Sequence, residues 1–330
     1  MTVETARTRG AAPTRTASHP RRGGGSTATA KLPAALSAVS ERVPGGVCQG
    51  ELDRGGRVLR WVEAGGETDR EATRQTGREA GREAGRNTGR GEPTVVLVAG
   101  SGATALTWAP VLPELARRGR VVAYDRAGLG ASDFDAGLTL ETQLADLVAL
   151  VEHLGDGPCV LVGHSWGGLL AQLVCWQRPE LVGGLVLVDP AHEEFHSPAV
   201  RAAEAAMVRI GLLRSAVAPG AGAVRPGRHQ WRTAVAENRL MTLAVTEIRR
   251  RRSAASVPDV PVAVLSATEG LPTVLRTRWT ILQSRIAERA TRGTHIVVRG
   301  AGHAIHADDP GAVTAAVLEV AEHARQSGQA

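Results

Sequence analysis

Short apolar runs alternate along this chain with segments whose apolar residues recur every three or four positions. Thr94-Val95-Val96-Leu97-Val98, Val121-Val122-Ala123-Tyr124, Cys159-Val160-Leu161-Val162 and Leu185-Val186-Leu187-Val188 are almost unbroken apolar stretches. Residues 260–265 form another, and residues 295–298 a last, weaker one. Runs of this length, rich in β-branched residues, predict strands buried on both faces. The pieces between them have a helical period. Thr139 stands ahead of a segment reaching His153, in which Leu144, Leu147, Val148 and Val151 fall on one face. Its hydroxyl is suited to cap that helix. A further helix is expected over 108–118. Upstream, residues 47–52 and 58–62 flank Asp53-Arg54-Gly55-Gly56, which predicts a β-hairpin. Strand and helix alternate steadily, so the fold class is α/β, a mostly parallel sheet flanked by helices.

Three stretches break the alternation. Residues 191–259 contain two helical patterns, 199–213 and 231–251, joined by a Gly- and Pro-rich connection, and predict a helical cap inserted into the sheet domain. Residues 67–92 repeat arginine every fourth position from Arg70 to Arg90, with Gly-Arg-Glu-Ala twice in tandem. Alanine is the only apolar type there, so the segment predicts a low-complexity, solvated insertion. Residues 1–42 read as a disordered basic tail, and 43–326 as the folded domain.

Composition changes this picture little. The formal charge of +6 over 330 residues is concentrated in residues 1–40, where Arg7, Arg9, Arg15, Arg21, Arg22 and Lys31 face Glu4 alone. The domain is therefore close to neutral, and neither a nucleic-acid nor a membrane partner is expected. No apolar run reaches the ~20 residues that span a bilayer. Arg21-Arg22 is followed by polar, glycine-rich residues rather than an apolar export core. Cys48, Cys159 and Cys175 are odd in number and widely spaced, which suggests reduced thiols and a cytoplasmic protein.

The candidate chemistry centres on Gly163-His164-Ser165-Trp166-Gly167-Gly168. A strand precedes it and a helix follows. A tight strand-to-helix turn lifts the serine hydroxyl clear of the sheet, and small neighbours keep the turn from clashing. The helix that starts there points free N–H groups at a reacting atom.

With these residues the chain resembles the α/β-hydrolase superfamily. The likeness rests on four landmarks in the family's order. They are Val96-Leu97-Val98-Ala99-Gly100-Ser101-Gly102, the loop from Asp125-Arg126 through Gly128 and Gly130 to Ser132, the Ser165 elbow, and Gly300-Ala301-Gly302-His303-Ala304-Ile305-His306. The resemblance implies Ser165 as nucleophile and His303 as its base, with His306 the competitor three residues on. It implies a carboxylate as third member. Asp189, 24 residues after the serine, fits one variant of the pattern, and Glu269, one residue short of the usual position, fits the other. The backbone N–H groups of Ser101 and Trp166 would form the oxyanion hole. The expected reaction is hydrolysis of a carboxylic ester, thioester or amide of a small apolar substrate through an acyl-serine. No cofactor and no metal are expected; His192, Glu193, Glu194 and His196 lie in succession without a supporting ligand set. A non-catalytic ligand-binding protein on the same scaffold, a cofactor-free perhydrolase and a biosynthetic thioesterase remain alternatives. Oligomeric state is not legible.

Overall fold

A computed structural model describes residues 34–66, 92–195, 227–255 and 257–328, with five isolated positions between 202 and 213. The organising feature is an eight-stranded sheet. Its strands are β1 (Cys48–Asp53), β2 (Val58–Ala64), β3 (Val95–Val98), β4 (Val121–Asp125), β5 (Cys159–His164), β6 (Val182–Val188), β7 (Pro261–Ala267) and β8 (Arg292–Val298). Their order across the sheet is β1-β2-β4-β3-β5-β6-β7-β8. The β1–β2 hairpin is antiparallel and joins β4 antiparallel; every pair from β4 to β8 is parallel. The parallel interior explains the composition of the runs. Every residue of β3, β4, β5 and β7 is buried, because helices cover both faces. The edge strand β1, by contrast, alternates exposed with half-buried positions.

Among the described residues, the α-helices longer than four residues are α1 (Ala34–Ser40), α2 (Leu112–Ala116), α3 (Leu140–Leu154), α4 (Trp166–Gln177), α5 (Arg228–Ala254), α6 (Thr273–Glu288) and α7 (Pro310–Gly328). Helix α3 begins where the sequence indicates. Thr139 accepts from the Thr142 N–H, Thr142 returns the bond to the Thr139 N–H, and Gly155 at φ 70° ends the helix. The expected helix over 108–118 is shorter and split into a 3-10 turn, Ala105–Trp108, and α2. Pro110 and Pro113 account for this, since neither has an N–H to carry a helical hydrogen-bond ladder from Ala105–Trp108 into α2, and Pro113 sits in the first turn of α2, where that loss is tolerated.

Structure also begins earlier than expected. Within the segment read as tail, α1 buries Ala35, Leu36 and Val39. The remainder of the segment read as tail, residues 1–33, and residues 67–91 lie outside the described residues, as does most of the helix expected over 199–213. The helix expected over 231–251 is present as α5 and is longer than expected. None of the helices among the described residues is long and apolar enough to cross a membrane.

The sheet order reverses between β3 and β5: the chain runs from β3 outward to β4, then returns to β5 on the other side. Crevices at the carboxyl ends of such strands are where parallel sheets of this kind bind ligands. The loops beginning at Ala99 and at Ser165 open there side by side.

Candidate active site

Ser165 joins β5 directly to α4 with φ 51° and ψ −114°. A side chain at this φ is strained, and only close packing holds it. The packing comes from three glycines. A Cβ on Gly163 would lie 2.6 Å from the Gly168 Cα, one on Gly167 would strike the Val98 carbonyl, and one on Gly100 would lie 2.7 Å from His164 Nδ1. The main chain of Ser165 is bracketed by the end of β6: its N–H donates to Val188 O at 3.2 Å, and its carbonyl accepts from the Ala191 N–H at 3.4 Å.

Asp189 lies between those two contacts. It and Ser165 are the two non-glycine residues with positive φ among the described residues, Asp189 at 42°. Its carboxylate is buried and fully engaged. Oδ1 accepts from the Ala267 N–H at 3.0 Å and from the Trp279 indole N–H at 2.7 Å. Oδ2 lies 2.6 Å from His303 Nδ1. Glu269 is elsewhere: its half-exposed carboxylate has Thr268 Oγ1 at 3.4 Å and Arg276 at 3.9 Å. Of the two carboxylates left open by the sequence, Asp189 is the one beside His303.

His303 sits on the loop after β8, with its imidazole half exposed. Its carbonyl is 2.9 Å from His164 Nε2, and the rings of His164 and His303 are 4.7 Å apart. His303 thus lies against the residue preceding Ser165. His306, the competing histidine, is buried, with its ring 4.6 Å from that of Trp108. Burial and the neighbouring His303 push its pKa down to about 4. Burial, then the charges of His303 and His306, hold His164 well below the usual imidazole value. Both are neutral at physiological pH, so neither adds a cation beside His303.

Above β3, residues 99–102 are fixed by two side chains, Arg126 and Glu237. Arg126 donates from Nη1 to Ala99 O at 2.6 Å and from Nη2 to Gly100 O at 2.7 Å. Glu237, on α5, accepts from the Gly102 N–H at 2.8 Å and from Arg126 Nε at 2.6 Å. Burial penalises the Arg126 cation, and Glu237 more than compensates, keeping its pKa above the usual value. Arg126 belongs to a motif legible in the sequence, but nothing there pointed to Glu237, Gln143 or Trp279.

The other carboxylates and histidines near the cap are otherwise occupied. Glu193 lies 3.3 Å from Arg252, and His192 Nδ1 accepts from the Glu194 N–H at 3.1 Å. His196 is outside the described residues. Among the described residues, no group of three or more His, Cys, Asp or Glu side chains is arranged to hold a metal ion.

Known proteins are similar to this chain in sequence or in fold. A protein chain titled the thioesterase domain from the curacin biosynthetic pathway superposes with a TM-score of 0.57 at 19% identity, covering 83% of this chain and 99% of that one. Epoxide hydrolase 4 of Mus musculus is 34% identical over 105 residues, 31% of this chain and 29% of that protein. Lipase LipV of Mycobacterium tuberculosis (strain ATCC 25618 / H37Rv) is 42% identical over 80 residues, 24% of this chain and 29% of that protein. The chain thus spans under a third of the length of these two curated relatives. The model of the alpha/beta hydrolase family matches residues 95–317, from β3 into α7, which takes in the Ser165 elbow, Asp189 and His303. The chain belongs to the alpha/beta hydrolase family.

Proposed function

We propose that this protein is a serine hydrolase that cleaves a carboxylic ester of a small apolar substrate through an acyl-Ser165 intermediate. The observation that carries the proposal is the 2.6 Å contact between His303 Nδ1 and Asp189, a carboxylate already oriented by two other donors, beside a serine held at φ 51°. Asp189 fixes the tautomer in which Nδ1 carries the proton and Nε2 is free to accept one. Ser165 Oγ attacks the ester carbonyl carbon, and its proton passes to His303 Nε2. The carbonyl oxygen becomes an oxyanion and accepts from the N–H groups of Ser101 and Trp166. Trp166 is the first residue of α4, where N–H groups have no partner within the helix. Collapse of the tetrahedral intermediate breaks the bond to the alkoxy oxygen, which leaves as the alcohol with the proton held by His303. Water repeats the sequence and releases the acid.

An ester is favoured over an amide because an alkoxide leaves more readily than an amide anion. Residues 191–259 are assigned as the cap that selects the acyl group, and the substrate is a small molecule. The test is labelling by a fluorophosphonate together with a panel of p-nitrophenyl esters of graded acyl length. Labelling that disappears in Ser165→Ala, with turnover of at least one ester, is the expected result. Folded protein that neither labels nor turns over any ester would overturn the reading.

A further inference from the structure

Glu237 is the most completely buried carboxylate tied to the candidate site, at 0% exposure, and it lies in the cap rather than the sheet domain. Four donors converge on it. Oε1 accepts from Arg126 Nε at 2.6 Å and from Gln143 Nε2 at 3.0 Å. Oε2 accepts from Arg126 Nη2 at 3.0 Å and from the Gly102 N–H at 2.8 Å. Taking a carboxylate and a guanidinium out of water costs several kcal/mol each, so this pair is a poor source of stability. Its arrangement points instead to positioning.

The contacts enclose both residues whose N–H groups the proposed function uses. Ala99, Gly100 and Gly102 are each held by Arg126 or Glu237, and Ser101 lies among them. Gln230, two turns before Glu237 on α5, donates to Gly102 O at 3.1 Å. On the other side the Trp166 indole N–H donates to Gln143 Oε1 at 2.9 Å, and Gln143 donates to Glu237. We propose that Glu237 is a positioning residue which sets the Ser101 loop against Trp166 from the cap, so that α5 is part of the oxyanion hole's support as well as its roof. The proposal rests on the serine-hydrolase reading for its catalytic consequence. Its structural half, that Glu237 orders residues 99–102, stands by itself.

Three variants separate positioning from folding. Glu237→Asp keeps the charge but draws it back by one methylene, so it cannot hold Arg126 and Gly102 together. Glu237→Gln removes the charge and leaves Arg126 buried without a counter-ion. The double variant Arg126→Met/Glu237→Met removes both charges and so leaves no lone buried ion, while the Ala99 and Gly100 carbonyls and the Gly102 N–H lose their side-chain partners. The measurements are melting temperature, kcat and KM for p-nitrophenyl butyrate, and amide hydrogen exchange in the peptide spanning residues 99–105. Glu237→Asp and the double variant are expected to fold but to melt below the wild type, because buried backbone groups of residues 99–102 lose their partners. Both should lose about 100-fold in kcat with KM little changed, the effect of a displacement near 1 Å at reacting groups. Exchange should rise in residues 99–105 and stay unchanged in α3 and β5. A double variant that folds and turns over at the wild-type rate, or exchange in residues 99–105 unchanged in both folded variants, would overturn the proposal. Wild-type protein inert to the fluorophosphonate and to every ester of the panel, with the exchange effect intact, would sink the hydrolase reading and leave the ordering role standing.

Discussion

Replacing Asp189 with asparagine exchanges one carboxylate oxygen for an amide nitrogen without changing shape. The neighbours dictate which way the amide turns. Oδ1 must still accept from the Ala267 N–H and the Trp279 indole, so the NH2 group faces His303 Nδ1. Nδ1 must then be the acceptor, the ring proton moves to Nε2, and the base that Ser165 needs is lost. A wrong tautomer of this kind costs about 10⁴ in kcat, or roughly 5 kcal/mol of barrier at 1.36 kcal/mol per decade. Folding suffers far less. Both buried N–H donors keep a partner, and the lost charge assistance amounts to about 1 kcal/mol, a melting shift of about 2–4 °C. The assay is kcat/KM on a p-nitrophenyl ester beside a melting curve, with Glu269→Gln as comparison. That carboxylate is half exposed, and its partners are Thr268 and Arg276, so its variant should stay within about twofold of wild type. Asp189→Asn retaining a tenth of the wild-type rate, or Glu269→Gln losing 10³, would refute the assignment of the acid.

Three more outcomes follow from the geometry. Ser165→Gly should abolish turnover yet raise stability by about 1 kcal/mol, because φ 51° is strained for serine, tolerated by glycine, and the hydroxyl makes no cap bond to α4 that would be lost; a melting temperature below that of Ser165→Ala would contradict this. Gly163→Ala puts a methyl 2.6 Å from the Gly168 Cα and should destabilise the fold by about 2–3 kcal/mol in urea unfolding, whereas a neutral result would mean the elbow is not tightly packed. Acid sensitivity should be steep: burial depresses His192 to about 3 and His306 to about 4. Between pH 6.5 and 4 the unfolded chain therefore binds protons that the folded chain refuses. Stability is full above pH 6.5 and falls by about 1.4 kcal/mol per pH unit for each such histidine as pH drops. His164, also held well below its usual value, adds to the slope, so His306→Phe should reduce it by about a third in melting curves taken across the window, and an unchanged slope would exclude His306 as a source.

What could be read from the sequence was whatever a few adjacent residues decide. Continuous apolar runs gave the interior strands, since a strand buried on both faces has no polar positions to spare. Thr139 and Gly155 bounded α3 through their own hydrogen bond and φ. The elbow at Ser165 was legible because small residues, a buried strand and a helix start are all within ten positions. The helix expected over 108–118 fell short where Pro110 and Pro113 outweighed an apolar period. Tertiary structure decided what depends on distant partners. Asp189 and Glu269 were both plausible acids, and strand order alone carries the end of β6 to the His303 loop, 114 residues away. Trp279, 90 residues from Asp189, and Glu237, 111 from Arg126, gave no local sign, because a side chain's burial and partners are set by which elements pack together. Local backbone preference writes the turn that presents the serine. Only the packing of distant elements brings Asp189 to His303 and Glu237 to Arg126.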